Sequence, residues 1–161
     1  MTPEPSSIEN AYRFMKASFY RRLKRFEFQL HLEELIDGVM TNKNQWGIRS
    51  PSDLLRVVCE QDPTNGERLR RLMDQMQFEL ILNQSRSFKD AELGPQMKSV
   101  CQKYFGIPCE LIGQLEYDNA VWQSLRKKKP LLIEYPHSRL YAQLLNISRR
   151  LTNAHSKKVA V

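Results

Sequence analysis

What this chain of 161 residues lacks narrows its chemistry first. No Gly-rich loop ending in Lys-Ser or Lys-Thr occurs, so the backbone cradle that holds a triphosphate is not built from these residues. No apolar run approaches the ~20 residues that a membrane span requires. Met1 to Asn10 is polar and acidic, without the apolar stretch of a secretory signal. The three cysteines, Cys59, Cys101 and Cys109, are an odd set with no C-x-x-C spacing. They read as reduced, mostly buried thiols rather than a disulfide frame or a metal site. His31, His137 and His155 are scattered and sit beside no nucleophile, and Glu33, Glu34 and Asp37 read as a solvated helix face. These absences point to a cytoplasmic protein with no catalytic constellation of its own.

What is present is ordinary for a globular chain: 41% hydrophobic and 27% charged residues. That length is enough to bury ~70% of the surface exposed on unfolding. The net charge of +7 favours an acidic partner, whether nucleic acid, anionic lipid or protein. Basic residues concentrate at Arg21-Arg22-Leu23-Lys24-Arg25, at Arg126-Lys127-Lys128-Lys129 and at Lys157-Lys158. Much of that charge also suits solvated helix faces and C-terminal turns.

The first half reads as helical. Ser6 is placed to cap a helix, with Glu9 closing a capping box. Ile8, Tyr12, Met15, Phe19, Leu23 and Phe26 then follow at helical spacing. A second segment carries Phe28, Leu32, Leu35, Ile36 and Val39, and a loop covers Thr41 to Arg49. Ser50-Pro51-Ser52-Asp53 opens a third helix, since proline suits the first helical position. Asp62-Pro63-Thr64-Asn65-Gly66 reads as a break before a fourth helix from about Glu67 to Met76.

The period changes at Phe78. Phe78 to Asn83 reads as a buried strand, Gln84 to Asp90 as a loop, and Leu93 to Tyr104 as a helix stopped by Gly106 and Pro108. Glu110 to Leu115 is a second strand, and Asp118 caps a helix that ends before Pro130. Leu131 to Glu134 reads as short and extended, and Leu140, Leu144, Ile147 and Leu151 give a C-terminal amphipathic helix. Strand–helix–strand–helix spacing predicts an α/β fold with parallel strands. Parallel strands belong inside a larger covered sheet, so this sheet is expected to be incomplete. Exposed edges of such a sheet predict aggregation or pairing with another chain.

Three stretches resemble the C-terminal part of the MinD/ParA family of P-loop ATPases, closest to its FlhG/FleN branch. Thr2-Pro3-Glu4-Pro5-Ser6-Ser7-Ile8-Glu9-Asn10-Ala11-Tyr12 resembles the segment after the Walker B strand. Leu80-Ile81-Leu82-Asn83-Gln84 resembles the strand that ends in an adenine-contacting asparagine. Phe105-Gly106-Ile107 with Ile112-Gly113-Gln114-Leu115-Glu116-Tyr117-Asp118 resembles the run that follows, and Pro130-Leu131 with Pro136-His137-Ser138 resembles its tail. The resemblance covers Thr2 to about Tyr12 and Phe78 to Leu151.

The resemblance implies a partial P-loop NTPase-type parallel sheet with a large helical insert. It implies one incomplete domain over 1–161: a post-Walker-B-like segment and helix in 1–20, the insert in 21–77, and a βαβ unit with a terminal helix in 78–161. Asn83 would meet the edge of adenine, and Leu115, Glu116 and Tyr117 would close over the base, with Glu116 standing where many relatives have proline. Glu4 would lie near the nucleotide or a dimer interface. ATP is the implied cofactor, with Mg²⁺ only when the phosphate-binding half is supplied. The implied partners are a second copy or the N-terminal half of the same ATPase, and the implied role is spatial positioning, such as flagellar number or placement.

Two other readings stand beside this one. The helical insert, with Trp46 and its Asn-rich loop, can serve a non-enzymatic interaction module. The basic clusters can hold DNA or the inner face of a membrane, although Lys157-Lys158-Val159-Ala160-Val161 is short and weakly apolar for an anchor.

Overall fold

The computed structural model describes residues 1–159, with side chains through 153. Helices dominate: α1 (Pro5–Leu30), α2 (Glu33–Thr41), α3 (Pro51–Gln61) and α4 (Pro63–Asp74) precede strand β1 (Phe78–Ser85). A 3-10 turn (Phe88–Glu92), α5 (Leu93–Val100) and a π-helical turn (Cys101–Phe105) lead to β2 (Cys109–Glu116). Then come α6 (Asn119–Lys127), the single-turn α7 (Leu131–Glu134) and α8 (Arg139–Val159). The two strands pair in parallel as one small sheet. Among the described residues no helix is long and apolar enough to cross a membrane.

The chain divides into two compact units. A helical unit comprises Glu9–Phe78 and Gln96–Glu110, and a sheet unit comprises Met1–Ile8, Glu79–Pro95 and the chain from Leu111 on.

In the helical unit, Met15, Phe19, Leu23, Phe26 and Leu30 line the buried face of α1 at helical steps. Phe19, Phe78 and Tyr12 surround Phe105, with ring centroids 5.8, 6.3 and 5.8 Å away. Tyr104 meets Tyr12 at 5.6 Å, and the Tyr12 hydroxyl is pushed up to about 12, first by burial and then by its hydrogen bond with Tyr104. Gly66 lets α3 and α4 touch, since a Cβ there would lie 2.5 Å from the Cys59 Cα. Cys101 and Cys109 are buried, and the Cys109 thiol is pushed up by its hydrogen bond with Cys101 and by burial.

Several boundaries differ from the sequence reading. α1 starts at Pro5 rather than after a Ser6 cap. The Glu4 carbonyl accepts the Ile8 N–H at 3.0 Å, and it is the Ser7 hydroxyl that takes an outside donor, the Thr2 N–H at 2.9 Å. Proline pre-sets the helical φ at this first position. At the other end α1 passes Phe26 and stops at Leu30, before His31 at φ 55°.

α3 opens at Pro51 as expected, and Ser50 with Asp53 closes its start with a capping box. The same grammar recurs at Asp62-Pro63, where Asp62 accepts the Asn65 N–H at 3.0 Å and α4 begins at once, not at Glu67. Leu131 to Glu134 is helical rather than extended: the Ile133 and Glu134 N–H groups both donate to the Pro130 carbonyl, at 3.1 and 3.0 Å. Glu134 is held by Lys127 at 2.7 Å and Lys129 at 3.3 Å, so the segment folds back onto the end of α6 instead of adding a strand.

In the sheet unit, β1 and β2 each run past their expected ends, to Ser85 and Glu116. Gly113 allows β2 and α8 to approach, because any Cβ there would collide with the Ile147 side chain. Two α8 side chains satisfy the outer edge of β2: Gln143 Oε1 accepts the Glu116 N–H at 3.0 Å, and Arg150 Nη1 donates to the Ile112 carbonyl at 3.1 Å. On the opposite side of the sheet, the Met1 nitrogen donates to the Ile81 carbonyl at 2.9 Å and the Asn83 N–H donates to the Met1 carbonyl at 2.8 Å. One residue bonding to both neighbours of its opposite number is the pattern of a parallel ladder.

Candidate functional site

The sheet unit carries a cleft of about 380 Å³ at the carboxyl ends of both strands. Open α/β sheets place ligands at this end of their strands. Asn83 and Gln84 come from the end of β1, and Leu115, Glu116 and Tyr117 from the end of β2 and just beyond. Val121, Trp122 and Leu125 of α6, with Leu131, Leu140 and Leu144, complete a mainly apolar wall. The volume lies within the range of small-molecule sites, ~300–1,000 Å³.

Local geometry explains why these residues meet. Both strands end together, tied by the Tyr117 N–H donating to the Ser85 carbonyl at 2.8 Å. Beneath that tie, buried Ser85 donates to the Leu115 carbonyl at 3.3 Å and accepts from Gln114 Nε2 at 2.8 Å. Asp118 then caps α6 by accepting the Ala120 N–H at 2.8 Å, which brings the apolar face of that helix to the cleft. The exposed Asn83 amide has no hydrogen-bond partner among the described residues, so its donor and acceptor are both open. Gln84, immediately after it, sits at φ 60°. A non-glycine residue in that left-handed region is uncommon and marks a sharply re-aimed backbone.

Tyr117 is half exposed, and the Arg86 guanidinium lies 4.3 Å from its ring centroid. The Glu116 carboxylate is engaged by Arg139 at 3.5 Å, and its backbone is held by Gln143.

Asn83, Leu115, Glu116 and Tyr117, the residues named from sequence, therefore all border one cleft. Glu4 does not join them. It lines a neighbouring cavity of about 270 Å³ with Thr2, Pro3, Gln84, Arg86, Ser87 and Asp90, and Gln84 is common to both. There the Asp90 carboxyl is held below the usual carboxylate range by hydrogen bonds from the Arg86 and Ser87 N–H groups. Sequence reasoning missed the α6 wall. The spacing of Val121, Trp122 and Leu125 was the available signal, because one helical face carries all three. The basic tail at Lys157-Lys158 lies outside the described side chains, and no group of three or more His, Cys, Asp or Glu among the described residues could hold a metal ion.

Comparison with models of known families, with curated proteins and with solved structures finds no match to this chain.

Proposed function

We propose that the cleft at the carboxyl ends of β1 and β2 receives the base of an adenine nucleotide. In this reading the chain is the adenine-side portion of a MinD/ParA-like ATPase involved in spatial positioning, and its two strands belong to a P-loop NTPase-type sheet. One observation carries the reading: Asn83, Leu115, Glu116 and Tyr117 border a single apolar cleft with an unpartnered amide at its edge. Asn83 would give one donor and one acceptor to the base edge, and Tyr117 with Trp122 would cover its faces.

In this reading further strands of such a sheet would lie beside β1, on the side where Met1 bonds to Ile81 and Asn83 in a parallel pattern. Phosphate grip and Mg²⁺ would come from residues outside this chain, supplied by the N-terminal half of the ATPase, so the chain alone would bind nucleotide without hydrolysing it.

Trp122 gives a direct readout, since it borders the cleft and the other tryptophan, Trp46, does not. In a Trp46→Phe background, adenosine, ADP and ATP should quench Trp122 to a similar degree, with a Kd on the order of 1 mM for a base-only contact. Guanosine should bind more weakly, and Asn83→Ala should erase that preference. Failure of adenosine to saturate, or equal binding of adenosine and guanosine, overturns the base assignment. Steady ATP hydrolysis by the purified chain overturns the division of labour.

A further inference from the structure

The outward face of α1 carries a second, unrelated feature. Phe14, Ser18, Arg21, Arg25 and Phe28 follow at steps of four, three, four and three, which keeps them on one side of the helix. Phe14 is 70% exposed and Phe28 is 72% exposed, while the opposite side buries Met15, Phe19, Leu23, Phe26 and Leu30. Ala17 and Ser18, both small, lie along the same stripe and allow another backbone to come close.

The charges on α1 sort in a telling way. Arg13 pairs with Glu9 at 2.6 Å, and Lys24 pairs with Glu27 at 2.5 Å. Arg22 donates to the Leu72 carbonyl at 2.9 Å and covers the Phe26 ring. Arg21 and Arg25, on the exposed stripe, have no ion-pair partner among the described residues, and no acidic side chain lies on that face. Two unpaired guanidiniums are therefore bracketed by two uncovered phenyl rings over about 21 Å of helix, at ~1.5 Å per residue.

We propose that this stripe docks an acidic helix of a partner protein. The 4-3-4-3 spacing is that of a helix–helix seam. The matching surface has two carboxylates four residues apart, facing Arg21 and Arg25, with apolar residues beyond them to seat Phe14 and Phe28. A second copy of the same stripe would set arginine against arginine. A nucleic-acid duplex would satisfy the arginines and leave both phenyl rings in water. A bilayer would take the rings and drag Arg21 and Arg25 in with them, since the charges lie between the rings rather than at the border of the apolar face.

The test uses the full chain and a labelled helical peptide carrying two Glu four residues apart, bracketed by Leu, with a Gln-for-Glu twin. Fluorescence anisotropy should show the Glu peptide binding at least about tenfold tighter than its twin. Arg21→Glu with Arg25→Glu should abolish that preference, and a Lys-for-Glu peptide should restore binding to the charge-reversed chain. Phe14→Ser with Phe28→Ser should weaken the Glu peptide several-fold with unchanged circular dichroism. Equal affinity for the two peptides, no binding of either, or tighter Arg21- and Arg25-dependent binding to a DNA duplex or to phosphatidylglycerol vesicles overturns the proposal. Adenosine quenching of Trp122 in the charge-reversed chain should remain as in the parent.

Discussion

The helical unit buries far more apolar side chains than the sheet unit does. Among the described residues, Leu82, Ile112, Leu140 and Ile147 are the only buried apolar side chains of the sheet unit, and all the others belong to the helical unit. The exposed large apolar residues lean the other way: Tyr117, Trp122, Leu125, Ile133, Tyr141 and Leu145 are among nine in the sheet unit, against five in the helical unit, Phe14, Phe28, Met40, Trp46 and Val100. Helices can close a core among themselves by packing their apolar stripes together. Two parallel strands cannot, because a parallel sheet needs cover on both faces and more strands beside it. One unit closes a well-filled core, and the other keeps an open cleft at the ends of its two strands.

This contrast can be broken by mutation. Phe105→Ala, in the middle of the aromatic cluster, should cost about 3–5 kcal/mol in urea denaturation. Trp122→Ala, at the rim of the cleft, should change stability by no more than ~0.5 kcal/mol. Similar losses at both positions would erase the distinction between the units. Gly113→Ala should cost about 1–3 kcal/mol, because the new methyl meets Ile147. In an Ile147→Ala background the same change should cost less, which would make the clash, rather than backbone entropy, the cause.

Ser50→Ala should cost ~1 kcal/mol through the lost α3 cap. Asp53, its partner in the box, is held below the usual carboxylate range by hydrogen bonds with Ser50 and Arg49. Its contribution is present above its unfolded value of 3.8 and fades as pH falls below that. The smallest effect concerns Tyr12, which holds its proton more tightly folded than unfolded. Its stabilisation is intact below pH 10.0 and is lost as pH climbs toward about 12. Tyr12→Phe should flatten that alkaline decline in a pH series of thermal melts.

Much of the helical unit was readable residue by residue, since stripes and caps are local. Met15, Phe19, Leu23 and Phe26 announce one helix face, and Ser50-Pro51-Ser52-Asp53 announces a start. The error at Asp62-Pro63 came from reading proline as a stop when the aspartate before it makes a beginning. Leu131 to Glu134 misled because four residues are too short to show a period, and the lysines that fold them back lie at the end of the preceding helix and just past it. At the cleft, Asn83 and Leu115 to Tyr117 come together because two parallel strands end side by side, which strand–helix–strand spacing already implies. Trp122, Leu140 and Leu144 were harder to place. Their position depends on how α6 and α8 cross the strand ends, and no single stretch of sequence records that.

The side chains of Gln143 and Arg150 along β2 have one more consequence. They hold the Glu116 N–H and the Ile112 carbonyl on one margin of the sheet, while Met1 holds the Ile81 carbonyl and the Asn83 N–H on the other. A strand arriving at either margin would therefore have to displace bonds that the chain already makes with itself.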